Sequence, residues 1–231
     1  MPNDQLQAIP RDPHDWRPQV ARRSRRSPEI RDPILEPFWR GIRCTAIFRA
    51  EPAPGADSSL ELLDLLGEDV GGIAPSVTAA LSRSIMALDA VVDGILTPQA
   101  TADATGLSVV PTTDLPATAF ILPHRPEVDH LPPRGVVPGG ELAFVALDLL
   151  SVDGQALFDL PLLERKRLLE GLFVEGVLVR VSPYTRPPVG PWLRSWKSAG
   201  FRGVMMKAAN SRYRPGEETS EWALIEREGG G

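Results

Sequence analysis

Few side chains in this 231-residue chain are able to do chemistry. It has three lysines (Lys166, Lys197, Lys207), three histidines (His14, His124, His130) and one cysteine, Cys44. A neutral amine or a thiolate can act as a nucleophile, whereas arginine stays protonated and cannot. The histidines are scattered between an N-terminal segment and a proline-rich stretch, too far apart to form a metal site. A single cysteine excludes an internal disulfide and a cysteine-based zinc site. Gly67, Gly71 and Gly72 read as turn residues and form no phosphate-cradling loop. The richest pattern lies near the end of the chain. There Gly203-Val-Met-Met-Lys207 reads as a strand ending in lysine, and Tyr213-Arg-Pro-Gly216 makes a turn before a strand led by Trp222.

The elements that must hold these residues follow from hydrophobic patterning. Alternating apolar runs predict strands over Arg43–Arg49, Leu60–Leu66, Ala90–Thr97, Leu142–Leu149, Val177–Val181, Gly203–Lys207 and Trp222–Ile225. The clearest helix is Pro161–Leu172. Asp159 is placed to cap it, and Leu163, Leu168, Leu169 and Leu172 make a stripe opposite Glu164, Arg165 and Glu170, with Lys166 on the polar side. Two further helices are expected over Pro75–Ser84 and Gly190–Ala199. Many strands with few helices indicate an α+β fold with antiparallel sheets. Trp39, Trp192, Trp196 and Trp222 are expected to pack in the core rather than stack on bases.

Residues 1–31 are polar, broken by prolines, and carry seven arginines against four acids, so they read as a disordered arm whose charge peaks at Arg22, Arg23, Arg25 and Arg26. The body, 32–231, carries a net −8, a poor match for a phosphate backbone. Seven prolines between Gly106 and Gly140 exclude a paired strand or helix interior there and mark a loop or insertion at about 106–140. No apolar run reaches membrane-spanning length and no hydrophobic signal core opens the chain, so a cytoplasmic protein without membrane contact is expected.

From Asp32 to Glu226 the chain resembles the adenylation (nucleotidyltransferase) domain of ATP-dependent DNA ligases. Leu35-Glu-Pro-Phe-Trp-Arg-Gly-Ile-Arg43 is similar to the segment in which Glu-Pro leads into Lys-x-Asp-Gly-x-Arg. Ala90-Val-Val-Asp-Gly-Ile-Leu96 resembles the strand ending Asp-Gly-Glu-Leu. Phe144-Val-Ala-Leu-Asp-Leu-Leu-Ser-Val-Asp-Gly154 with Leu160-Pro-Leu-Leu-Glu-Arg-Lys166 is the nearest likeness, of the bacterial DNA ligase type. The closing stretch, Arg202 to Lys207 and on through Trp222, resembles Glu-Gly-Val-Met-x-Lys and Trp-x-Lys-x-Lys. Glu175-Gly-Val-Leu-Val-Arg180 spells a similar string but lacks the turn after it, so it reads as an ordinary strand.

The resemblance implies two antiparallel sheets with flanking helices around a cleft. It also implies a lysine nucleophile attacking ATP, acids for a divalent cation, bases for phosphate, and a following OB-fold domain that this sequence does not contain. The chemical positions differ. Phe38 stands for the lysine, Arg40 for the aspartate, Ile95 and Arg202 for metal-side acids, and Leu224 and Glu226 for phosphate-side bases. Glu217 and Glu218 replace an arginine pair, and Leu147 replaces the aromatic before Asp148. Arg43 and Lys207 match nucleotide-contacting positions, with paired surface residues as the other reading. No catalytic residue and no cofactor is expected, with ATP and Mg²⁺ required if the enzyme reading holds. Three functions follow: an inactive DNA ligase-like module for binding or scaffolding a protein partner in DNA repair, a nucleotidyltransferase component completed by groups from elsewhere, or an accessory factor binding DNA through its arginine arm.

Overall fold

The computed structural model describes residues 11–24, 29–51, 58–97, 142–198, 201 and 203–226. A four-stranded sheet has the order β1 (Val20–Ser24), β10 (Glu218–Glu226), β9 (Gly203–Ala208), β2 (Pro33–Pro37). The larger sheet has the order β4 (Ser59–Asp64), β3 (Ile42–Arg49), β5 (Asp89–Thr97), β6 (Ala143–Val152), β7 (Gln155–Ala156), with β8 (Val179–Val181) also on β6. Three helices flank them: α1 (Pro75–Ser84), α2 (Leu162–Leu172) and α3 (Gly190–Ser198). The α+β class and the two sheets agree with the sequence reading. Pairing is antiparallel except for β1 on β10 and β8 on β6, which are parallel.

Period-two alternation on β3 divides the core. Ile42, Cys44, Ala46 and Phe48 face α1 and α2, packing with Leu81, Leu169 and Leu172. Ile47 points the other way, into a second cluster shared with the small sheet, where Ile34, Met205, Trp222 and Leu224 join Phe158 and Tyr213. A third cluster seats α3, whose Trp196 packs with Leu35 and Met206 of the small sheet and Ile95, Val145 and Leu147 of the large one. Trp39, Trp196 and Trp222 are core residues as expected. Trp192 is not; it remains 42% exposed.

Two expectations fail for identifiable reasons. The arm expected over 1–31 is folded across 13–24. Trp16 is buried with its ring edge-on to Phe158 at 4.7 Å, and Ala21 is buried within β1. Gln19 is buried, its side chain accepting from the Arg214 amide at 2.7 Å and donating to Thr219 at 3.1 Å. A few anchors and one strand of main-chain pairing suffice to dock a segment whose average composition is polar. Arg22 and Arg23 are therefore β1 residues in register with Ala223 and Leu224, while Arg25, Arg26 and the proline-rich stretch at 106–140 lie outside the described residues.

Helix α2 departs in the second way. Its buried positions are Leu162, Arg165, Lys166, Leu169 and Leu172, and Leu168 is exposed. The stripe is rotated from the expected one because Arg165 and Lys166 find buried acids. Asp159 does not cap the helix; it accepts from Arg212 at 2.8 Å.

Candidate functional site

The Glu36-Pro-Phe-Trp segment at the end of β2 turns across the tip of the large sheet into β3. Gly41 is what allows that turn. Its φ is +155°, and a β-carbon there would run into the Leu96 carbonyl. The turn forms a crevice lined by Glu36, Pro37, Phe38, Trp39, Arg43, Ile95, Leu147, Met205 and Lys207, with an empty volume of about 390 Å³ counting its solvent side. Phe38, Arg43, Ile95, Leu147 and Lys207, singled out from distant parts of the sequence, thus share one site.

Local geometry explains each position. Arg43 lies opposite Ile95 in the β3–β5 register, and Asp93 is the diagonal neighbour two residues away. A bulge between Asp93 and Gly94 shifts the β5–β6 pairing, so Asp148 comes opposite Asp93 and Leu147 is left between paired residues, facing the crevice. Gly94 is required beside it because a β-carbon there would enter the Phe144 ring. Trp222 and Lys207 are cross-strand partners in β9–β10, with the ammonium 4.3 Å from the indole centroid.

Apolar side chains dominate the lining. Phe38, Trp39, Ile95, Leu147 and Met205 are all buried. Trp39 is fixed by its indole N–H donating to Ser182 at 2.9 Å.

Beneath the lining lies a buried ionic layer. Glu36 accepts a hydrogen bond from Lys207 at 3.1 Å and forms an ion pair with Lys166 at 2.9 Å. Asp93 receives Arg43 in a two-point fork at 2.5 and 2.6 Å, and also the Tyr213 hydroxyl at 2.8 Å. Asp148 receives Arg165 in a second fork at 2.8 and 2.9 Å. The Gln19 amide donates to the Tyr213 oxygen at 2.9 Å, so a hydrogen-bonded chain runs from the N-terminal segment through Tyr213 and Asp93 to Arg43.

Three acids here meet four cations. Burial alone would raise the Glu36 pKa, but the pull of Lys166 and Lys207 holds it below the ordinary value. Burial pushes Lys207 down, with repulsion from Lys166 adding to it and outweighing the attraction of Glu36. Burial opposes ionisation of Asp148 too, yet Arg165 keeps it below the usual range. Tyr213 is pushed well up by burial and by Asp93, so it serves as a donor.

Arg43 and Lys207 are therefore buried ion-pair members, which corrects their alternative reading as surface pairs. Lys166 belongs to the same layer rather than to a polar helix face. Leu224 is buried in the core, and Arg202 lies outside the described residues. Glu36, Asp93 and Tyr213 receive no site role from the sequence alone, and Arg165, expected on the polar side of α2, is instead buried on Asp148. Only the spacing Leu162, Lys166, Leu169 signals the burial of a lysine on α2.

Residues 132–225 match the family described as "ATP dependent DNA ligase domain". A DNA ligase of Methanocorpusculum labreanum is 31% identical over 81 residues, which are 35% of this chain and 15% of that protein. The ligase domain of M. tuberculosis LigD superposes with a TM-score of 0.60 at 22% identity, covering 92% of this chain and 60% of that one. A mycobacterial DNA ligase D complexed with ATP and MES gives 0.63 at 20% identity, covering 93% and 61%. The chain thus spans about three fifths of those structures and a smaller share of the curated relative. The chain shares the fold of these ligase domains and, over residues 132–225, is similar in sequence to the ATP-dependent DNA ligase domain, with phenylalanine at the position where the resemblance calls for the nucleophilic lysine.

Proposed function

We propose that this domain is catalytically silent and serves as a binding or scaffolding module linked to DNA repair. The observation carrying the proposal is Phe38, buried in the crevice between Ile95, Leu147 and Met205. It has no lone pair with which to attack phosphorus.

The charges near it support the same reading. Arg43 and Lys207 are engaged by Asp93 and Glu36, so a triphosphate would compete with buried carboxylates for them. Among the described residues no group of three His, Cys, Asp or Glu side chains could hold a metal ion, and Glu36 already carries two lysines. The residues of this crevice do not fit a metal–triphosphate.

A second reading rests on Lys207. It lines the crevice, and burial lowers its pKa, the condition that activates an amine. In that reading the chain is a nucleotidyltransferase component with Lys207 in place of the missing nucleophile. Incubation with α-labelled ATP and Mg²⁺ or Mn²⁺ separates the two. The silent domain takes up no acid-stable label. A stoichiometric phosphoramidate adduct overturns the proposal, and peptide mapping then assigns it to Lys207, Lys166 or Lys197.

A further inference from the structure

His14, the one histidine among the described residues, has a carboxylate at each ring nitrogen. Asp12 caps the short 3-10 turn Pro13–Asp15 by accepting from the His14 amide at 3.0 Å, and the same oxygen lies 2.7 Å from Nδ1. Glu61 of β4 lies 3.3 Å from Nε2. A neutral imidazole carries a single N–H, so it satisfies one of these acids and turns a lone pair toward the other. The imidazolium donates to both. Hydrogen bonding to Asp12 and then to Glu61 raises the His14 pKa above its ordinary value, against a smaller effect of burial.

The other charged groups nearby act less directly on the ring. Arg17 donates to the His14 main-chain carbonyl at 2.6 Å. Arg11 and Asp15, on either side in the sequence, are exposed. Arg49 of β3 pairs with Ser59, two residues before Glu61. It acts on Asp12, whose pKa is lowered first by the His14 amide and least by this arginine. The Asp12 contact is internal to the turn, whereas the Glu61 contact joins two elements. It is made where the N-terminal segment runs past β4. Arg17 next covers the turn after that strand, so that a β-carbon on Gly67 would come 2.5 Å from its guanidinium.

We infer that His14 is a pH-sensitive latch, fastening the N-terminal segment to β4 while its ring is doubly protonated and slackening once the ring is neutral. A raised folded pKa makes the tie fully present below about pH 6.5 and lost as pH rises through the folded value above it. The pair is solvent-exposed, so its strength is that of a surface ion pair. That is enough to change how often the segment lifts and too little to unfold the domain. Gln19 lies in the same segment and opens the hydrogen-bonded chain to Arg43, so the latch bears on that wall of the crevice whether or not the crevice is silent.

Hydrogen exchange of the full chain, read by mass spectrometry on peptides covering residues 11–19, tests this. Dividing each rate by that of His14→Gln at the same pH removes the intrinsic pH dependence of exchange. Below about pH 6.5 the wild type should be about 1.5- to 5-fold more protected than the variant, and the ratio should fall toward one as pH rises through the folded value. The ring-proton resonance missing from His14→Gln should titrate above the ordinary histidine value in the wild type. Glu61→Gln should lower that value with far-UV circular dichroism unchanged. A protection ratio that does not vary with pH overturns the proposal. So does a His14 pKa at or below the ordinary value, or one that Glu61→Gln leaves unmoved.

Discussion

Replacing Glu36 with glutamine keeps the shape of the side chain and removes the only acid that Lys166 and Lys207 share in the ionic layer. Breaking one buried ion pair by deleting a partner costs about 3–5 kcal/mol, because the other charge is left behind. The amide oxygen can still accept from one ammonium, and a hydrogen bond to a charged group recovers about 1.5–3 kcal/mol. With two lysines affected, a net loss of about 3 kcal/mol is expected, a large part of the roughly 5–15 kcal/mol that keeps a domain folded. Urea denaturation followed by tryptophan fluorescence should show the midpoint falling by about 1–1.5 M for a slope of about 2–3 kcal/mol/M.

The pH dependence carries a definite sign. The lowered pKa of Glu36 means that its contribution is present above the ordinary carboxylate value and lost as pH falls through the folded one. The lowered pKa of Lys207 means that its ammonium carries a penalty while protonated, relieved as pH rises through its folded value. Without Glu36 that penalty grows at neutral pH. The deficit of Glu36→Gln must therefore shrink between neutrality and the lysine range. A deficit below about 1 kcal/mol at neutral pH, or one that stays flat or widens as pH rises, would show that the two lysines are not held by this carboxylate.

Trp16→Ala should cost about 3–5 kcal/mol, as for other buried aromatic truncations, read as a lower urea midpoint; removing residues 1–24 should unfold the small sheet rather than leave an intact body. Phe38→Lys should restore no ATP labelling and should lower stability, because it adds an amine beside a layer whose four cations already outnumber its three acids; an acid-stable adduct on that variant would contradict the assignment of the crevice as silent.

Periodicity in the sequence reveals most of the sheets, since β3, β5, β6 and β9 carry apolar alternation of their own. Helix α1 follows from its proline start and spans the expected Pro75–Ser84. β1 and β2 are invisible to that method. Both are five residues long and rich in charge or proline, and each is fixed by partners more than 150 residues away. The crevice was legible as a set of positions because the motif resemblance names them. Its electrostatics were not. A buried lysine on α2 looks like a solvated one until the register of β2 brings Glu36 beneath it, and Asp93 and Asp148 become neighbours only through the β5–β6 bulge.

The pairing of β1 with β10 sets a timetable for folding. Val20 sits opposite Glu218, so nearly the whole chain must be made before the first strand meets its neighbour. At about 5–20 residues per second the ribosome takes roughly 10–40 s to cover that interval. Throughout it Ala21 and the rest of β1 lack the strand they pair with, because β10 has not yet been made. Non-local closure of this kind is slow in its own right. The small sheet is therefore the last part of the molecule to assemble, and with it comes the Gln19–Tyr213–Asp93 chain that steadies Arg43. A nascent chain can complete its larger sheet and both of its first two helices while the crevice between the sheets still has only one wall.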